Sequence, residues 1–178
     1  MTVHAKYTYA AAVAILSTAG CATPRAVPDA DGLQQACALL MPTSIEIVEP
    51  FTRIRSFDED SVPDGIQLLV QAVNSLDSAV MIVGHIRAEL FEYVAASAVR
   101  QGRRLEHWDM ALATEDDQRT FWNQITQMYE FRLKIDPTAF PVEDRYVLMV
   151  TYSSPLGDHL TAECVLERPK TGDPLGGG

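Results

Sequence analysis

Hydrophobic and polar residues alternate through most of this chain, and the alternation predicts β-strands. In residues 128–135, Tyr129, Phe131, Leu133 and Ile135 alternate with charged side chains. A period of two places these four side chains on one face of a half-buried strand. Further strands are predicted at residues 44–55, 66–73, 80–93, 105–112, 146–152 and 159–167.

Two of these predicted strands contain a residue that disturbs regular pairing. Pro50 lies inside residues 44–55, and proline has no backbone N–H to donate. We therefore expect an edge strand that bends or switches sheets there. Gly84 lies inside residues 80–93 and predicts a bulge or a break between two strands.

Helices are predicted at two places only. Thr114 followed by Asp117 fits a capping box, which predicts a short helix over residues 115–125. Residues 32–41 are expected to form one or two helical turns before a proline at residue 42. About seven strands with regularly spaced turns and one short helix in the domain predict an all-β, antiparallel β-sandwich.

The end of the predicted domain resembles the last hairpin of immunoglobulin-like domains. Asp144-Arg145-Tyr146 precedes the strand of residues 147–152, and residues 153–158 connect that strand to the last one. In immunoglobulin-like domains a tyrosine at this place caps a corner of the sandwich. The resemblance implies an immunoglobulin-like topology across residues 43–167, and a C2-like sandwich is the alternative.

The N-terminal residues have the pattern of a secretory signal. A weakly basic start with His4 and Lys6 precedes an apolar stretch over residues 7–19, which ends in small residues before Cys21. A membrane-spanning helix needs about 20 apolar residues, so this stretch is too short for one.

The residues around the end of this signal resemble the lipobox of bacterial lipoproteins. Ala19 and Gly20 match the small positions, and Cys21 matches the cysteine that becomes acylated and N-terminal. The resemblance implies attachment to a membrane of the cell envelope through lipid on Cys21, and Ala22 implies the outer membrane. The alternative is an ordinary secreted protein in which Cys21 is a plain thiol.

The composition divides the chain into four parts. We predict a signal peptide over residues 1–20, an acylated cysteine and flexible tether over residues 21–42, a β-sandwich domain over residues 43–168 and a disordered tail over residues 169–178.

The charge of the chain excludes two classes of partner. With 14 Lys and Arg against 24 Asp and Glu, the net charge is −10. Nucleic-acid binding needs clustered basic residues, and electrostatic adhesion to anionic lipid needs them too. We therefore expect neither, and Arg100, Arg103 and Arg104 are interpreted as a small basic patch on a loop.

Cys37 and Cys164 remain as a pair once Cys21 is acylated. An even pair of cysteines in an oxidising compartment is a disulfide candidate, and the bridge would join the N-terminal segment to the last strand. The alternative is two buried thiols, since free cysteine packs like a small hydrophobic residue.

An acidic turn between the first two strands is the candidate metal site. Asp58, Asp60 and Asp64 crowd this turn, and immunoglobulin topology brings Asp136 and Asp144 to the same end of the sandwich. Calcium takes six to eight oxygen ligands, often from carboxylates and loop carbonyls. The spacing matches no EF-hand, so a solvated acidic turn is the alternative, and no other cofactor is expected.

The sequence contains little that points to catalysis. His85, His107 and His159 have no zinc-type spacing, no nucleophile motif or phosphate loop accompanies them, and His107 with Asp109 is interpreted as polar surface. A surface platform that binds carbohydrate is an alternative to core packing for four aromatic residues, which are Trp108, Phe121, Trp122 and Tyr129.

These observations favour a membrane-anchored, non-catalytic binding or assembly module of the cell envelope, whose partner is an envelope protein or a glycan. A carbohydrate- or calcium-binding envelope domain is the second hypothesis, and a hydrolase is the third.

Overall fold

The computed structural model describes residues 30–58, 62–96, 98–136 and 144–168. The predicted signal peptide, Cys21, Asp60 and the predicted tail therefore lie outside the described residues. The elements are α1 Ala30–Leu40, β1 Ser44–Ile47, β2 Arg53–Arg55, β3 Gly65–Val73, β4 Gly84–Tyr93, β5 Gln101–Leu112, α2 Glu115–Phe121, β6 Trp122–Asn123, β7 Met128–Lys134, β8 Arg145–Ser153 and β9 His159–Glu167. Neither of these helices is long and apolar enough to cross a bilayer.

The strands form two antiparallel sheets that pack as a sandwich. One sheet has the order β1-β3-β7-β6, with β2 also paired to β3, and the other has the order β5-β4-β8-β9. The predicted all-β antiparallel sandwich is confirmed.

The core lies between the two sheets and consists of alternate residues from each strand. Ile66, Leu68 and Val70 of β3 are fully buried there. The face predicted for residues 128–135 is confirmed, because Phe131 is 1 % exposed and Leu133 is 2 % exposed. The Tyr146 side chain is also fully buried. It lies near the start of β8, where the immunoglobulin resemblance places a corner tyrosine.

Residues 44–55 bend, as expected, but they stay in one sheet. β1 and β2 are separated by a turn that contains Pro50, and both pair with β3. Thr52 fixes this bend, because its hydroxyl accepts a hydrogen bond from Leu69 N at 3.1 Å. The chain can therefore leave the edge of the sheet and rejoin it without crossing to the other sheet.

Several boundaries differ from the sequence prediction. β4 begins at Gly84 rather than residue 80, which is the break that this glycine predicted. β5 begins at Gln101 rather than residue 105, and ion pairs to β4 hold its first residues in the sheet. α2 ends at Phe121 rather than residue 125, because Trp122 is extended and pairs with β7. The predicted tether over residues 21–42 contains α1. The sequence predicts a helix over residues 32–41, and α1 begins two residues before it, at Ala30.

The two sides of the sandwich are unequal. On one side β1 packs along β9 and closes the gap between the sheets. On the other side β5 faces β7, and β6 pairs with only Met128 and Tyr129 of β7. The Trp108 indole N–H of β5 crosses this gap and donates to the Lys134 carbonyl at 2.9 Å. The sandwich is therefore open beside β7, and α2 lies over the opening.

Candidate functional site

The open side of the sandwich carries a groove of about 700 Å³. Its position beneath α2 follows from the two-residue length of β6, which leaves the rest of β7 uncovered on that side. The groove is lined by Thr120, Phe121, Trp122, Asn123, Gln124, Ile125, Glu130 and Arg132.

A capping box and a half-buried glutamine fix α2 above the groove. The Thr114 hydroxyl accepts from Asp117 N, and the Asp117 carboxylate accepts from Thr114 N. These hydrogen bonds lower the pKa of Asp117. The Gln118 side-chain amide donates to the Ile82 carbonyl at 2.8 Å and to the Leu112 carbonyl at 3.0 Å, so the helix is joined to both of its neighbouring segments.

The Tyr129 hydroxyl completes this buried network. It donates to Gln118 Oε1 at 2.7 Å and accepts from Ile82 N at 2.9 Å. Burial raises the pKa of Tyr129. A buried hydroxyl with both donor and acceptor partners holds its neighbours in one geometry. Tyr129 therefore positions α2 from beneath and is not part of an aromatic surface platform.

Two aromatic side chains form the apolar wall of the groove. The Trp122 ring packs edge-on against Tyr129 with centroids 4.9 Å apart, and the Phe121 ring packs against Phe131 at 5.0 Å. Phe121 and Trp122 are each half-buried, so each has one side on the core and one side in the groove. Ile125, at the tip of the turn between β6 and β7, is 94 % exposed.

Polar side chains on the outer face of the five-stranded sheet form the opposite wall. Glu130 Oε1 accepts from Gln67 Nε2 at 2.8 Å, and Gln67 Oε1 accepts from Arg55 Nη1 at 3.0 Å. The Arg132 guanidinium lies 5.9 Å from the centre of the Phe57 ring. The groove thus combines aromatic carbon with a carboxylate and a guanidinium.

The backbone edge of β7 borders the groove. β7 has seven residues and β6 pairs with two of them, which leaves residues 130–134 with no strand partner on that side among the described residues. Trp108 covers this edge at its far end, through the Lys134 carbonyl. Such an edge offers N–H and C=O groups to another extended segment.

The proposed calcium ligands are only partly brought together. Ile135 N donates to the Asp64 carbonyl at 2.8 Å, so Asp136 follows at the same end of the sandwich as the acidic turn, as the topology implied. The Asp64 carboxylate accepts from Phe57 N at 2.6 Å, and the Asp58 carboxylate accepts from the Ser56 hydroxyl at 2.8 Å.

Asp144 is joined to the end of the domain, because its carbonyl accepts from Arg168 N at 2.9 Å. Among the described residues no three acidic, histidine or cysteine side chains are grouped to hold a metal ion. Asp60 lies outside those residues, so the calcium site stays a prediction.

The candidate disulfide is not formed in the structure. Cys37 is exposed on α1, and Cys164 is buried between the sheets from β9; both are free thiols. Burial raises the pKa of Cys164 to about 12, which keeps this thiol protonated and unreactive. The alternative to a disulfide is two buried thiols. Cys164 is buried as that alternative predicts, whereas Cys37 is exposed.

The polar surface of the other sheet carries ion pairs. Asp109 binds Arg87 through both carboxylate oxygens, at 2.8 and 3.1 Å, and this contact lowers the pKa of Asp109. Arg103 pairs with Glu92 and Arg104 pairs with Glu89, each at 2.8 Å. Two of the three arginines of the predicted basic patch, Arg103 and Arg104, are thus neutralised by carboxylates on β4.

One pair of reactive side chains was missed by the sequence analysis. Ser153 Oγ lies 3.1 Å from His159 Nδ1 at the exposed base of the β8–β9 hairpin. The register of the hairpin pairs these two residues, because β8 extends to Ser153, one residue beyond the predicted strand. The pair lies on the solvent side of the sheet, away from the groove.

No family model, curated protein or solved structure matches this chain.

Proposed function

We propose that this protein is a lipid-anchored, non-catalytic binding module of the cell envelope, and that it docks an extended segment of a partner protein in the groove beside β7. One observation carries the docking: an uncovered strand edge borders a groove of about 700 Å³ with an aromatic wall. Strand addition takes its affinity from backbone hydrogen bonds and its specificity from pockets for alternate side chains.

The contacts around the groove support a binding role over a catalytic one. Thr120, the hydroxyl-bearing residue of the lining, donates to the Asp116 carbonyl at 2.8 Å within α2. Glu130 is held by Gln67 on the sheet surface. These groups therefore contribute a shaped and partly polar surface, with Phe121 and Trp122 as apolar anchors.

The location within the envelope is supported by the residues that precede the domain. Ala19, Gly20 and Cys21 follow an apolar stretch and match a lipobox. Lipid on Cys21 would hold the sandwich at the exported face of a membrane, and Ala22 favours the outer membrane. The net charge of −10 supports a protein or glycan partner over nucleic acid.

Crosslinking from the groove tests the docking. A photo-crosslinking residue replaces Ile125, which is 94 % exposed beside the groove, and in a control it replaces Val99, which is exposed at the opposite end. We expect a discrete protein adduct from position 125 that is absent from position 99. The same adducts from both positions would contradict a specific groove.

Amide hydrogen exchange on the isolated complex then tests strand addition. We expect the backbone amides of residues 130–134 that point away from β3 to become protected. The outer edge of β5 is the control, because β5 is also an edge strand and should keep its exchange rates. A complex without added protection at residues 130–134 would contradict docking by strand addition.

A glycan is the second candidate ligand, and the mixed character of the groove favours it. The Trp122 ring lies close to Gln124, Glu130 and Arg132, and a ring with amide and charged groups suits a sugar. Titration with envelope polysaccharide should change tryptophan fluorescence in the wild type and in Trp108→Phe, but not in Trp122→Phe. No response in any of the three would exclude this ligand class.

A further inference from the structure

A second surface gathers exposed apolar side chains at one end of the sandwich. We call it the apolar end, and each of its large side chains is at least 50 % exposed. Contiguous exposed apolar surface in a folded domain marks an interaction site. The apolar end consists of Leu39, Leu40, Leu76, Met81, Val83 and Leu156.

Hydrogen bonds hold the segments of the apolar end in place. The Asn74 side-chain amide donates to the Leu39 carbonyl at 2.9 Å, so the turn after β3 is attached to the end of α1. The Tyr152 hydroxyl donates to the Val83 carbonyl at 2.8 Å. Between these segments lies a cavity of about 220 Å³, lined largely by apolar residues such as Leu40, Met81 and Leu156.

The chain enters the domain at this end. α1 leads directly into β1, and almost all of its described residues are exposed, including Leu33. Residues 21–29 precede α1, so nine residues, Cys21 included, lead from the lipid to the first residue of the helix. At about 3.4 Å per residue they reach at most about 30 Å. The 11 residues of α1 add about 16 Å at about 1.5 Å per residue. Lipid on Cys21 would therefore keep the apolar end within about 50 Å of the membrane surface.

Acidic side chains surround the apolar end. Asp77 and Asp158 lie in its two turns, Asp31 lies on α1, and Glu115 begins α2 nearby. Anionic lipid would repel these carboxylates, whereas zwitterionic lipid would not. Apolar insertion, and not charge, must then provide the contact with the membrane.

We propose that the apolar end lies on the lipid surface, with Leu40 and Leu156 inserted among zwitterionic headgroups and α1 lying along the interface. This inference rests on the lipid anchor of the proposed function. It adds an orientation: the domain stands on the membrane on its apolar end, and Asp58 and Asp64, before β3, lie at the end that points away.

Cys37 offers a direct probe, because it is exposed on α1 while Cys164 is buried. The acylated full chain, labelled at Cys37 with an environment-sensitive fluorophore, is reconstituted in phosphatidylcholine–phosphatidylethanolamine vesicles. We expect a blue-shifted emission that brominated acyl chains quench. In the control, Cys37→Ala with Ala98→Cys carries the label at the opposite end, and we expect neither effect.

A variant separates docking from anchoring. Leu40→Asp with Leu156→Asp should abolish the blue shift at Cys37 while the protein still sediments with vesicles. Val99 is an exposed apolar residue at the other end, so Val99→Asp should leave the blue shift at Cys37 unchanged.

The outcomes separate this inference from the proposed function. Sedimentation with vesicles and equal emission at both label positions would overturn the orientation and leave the anchor standing. No sedimentation of the wild type would overturn the anchor, and the orientation with it. A shift at Cys37 that appears without vesicles and grows with protein concentration would assign the apolar end to a second copy and overturn the lipid contact.

Discussion

Single buried polar groups determine where α2 and the segment before β4 lie. The Tyr129 hydroxyl joins Ile82 to Gln118, and Gln118 in turn holds the Leu112 carbonyl. Gly84 allows the start of β4 to pass close to β8. These residues do not touch a ligand in our account, and they position the surfaces that do.

Tyr129→Phe should reduce the free energy of unfolding by about 1–3 kcal/mol, because it leaves the buried Ile82 N–H and Gln118 Oε1 without this partner. Tyr93→Phe is the matched control, since Tyr93 is half-buried with its ring 4.3 Å from Arg145. Urea unfolding measures both variants. Equal losses would contradict a positioning role for the Tyr129 hydroxyl.

Gly84→Ala should destabilise the fold more than Gly157→Ala. Both glycines have a positive φ, 148° and 95°, which costs a non-glycine residue about 1–3 kcal/mol. A Cβ at Gly84 would also collide with the Ser153 carbonyl, whereas a Cβ at Gly157 meets open space. Thermal melts of the two variants compare the costs, and a smaller loss for Gly84→Ala would refute the close approach.

Stability should fall as pH rises above about 9, and Cys164 contributes to this fall. Its thiol has a pKa of about 12 in the fold against an ordinary value of 9.0. Between these values the unfolded chain binds fewer protons than the folded chain, so alkali favours unfolding. Cys164→Ala should make the fall from pH 9 to 12 shallower, although its cavity lowers stability at every pH.

Cys37→Ala is the matched control, because Cys37 is exposed on α1 and its removal leaves Cys164 in place. Urea melts at several pH values give the slopes. A slope that is the same in Cys164→Ala and the wild type would show that another group titrates there.

Elements that are specified by the residues within them could be predicted from the sequence. Boundaries that depend on pairing with a strand distant in sequence could not. β7 alternates over seven residues, and the capping box starts α2 at the predicted residue. The end of α2 was misplaced because Trp122 leaves the helix to pair with Tyr129 on β7. The groove forms because α2 ends at Phe121, and the local sequence gives no sign of that early end.

The acidic turn and the apolar end show the same contrast. Topology alone correctly placed Asp64 and Asp136 at one end of the sandwich. The apolar end escaped prediction, because Leu40, Met81 and Leu156 are far apart in sequence and lie in three different segments. Isolated surface hydrophobic residues are ordinary, and only the fold brings these together.

At the level of the strand, the face assigned to β7 can be tested by truncation. Phe131→Ala should cost about 3–5 kcal/mol, because it removes a fully buried ring. Glu130→Ala, one residue away on the outer face, should be nearly neutral. Denaturant melts that show equal losses would refute the assigned face.

The whole molecule presents two adjoining surfaces in our account, because Met81 of the apolar end lies beside Trp122 and Gln124 of the groove. The groove beside β7 faces a partner, and the apolar end, which the chain reaches at Leu39, faces lipid. The outer face of the four-stranded sheet carries the paired arginines and carboxylates and stays solvated. The lipid contact, and the place of the docking groove in the cell envelope, depend on attachment of the chain to a membrane.

Acylation of Cys21 is therefore the central claim, and the intact mass of the mature protein from membranes tests it most directly. We predict a chain that begins at Cys21 and carries added acyl mass, and a Cys21→Ser variant that stays uncut or leaves the membrane fraction. A mature wild-type protein with no added lipid mass would contradict the account.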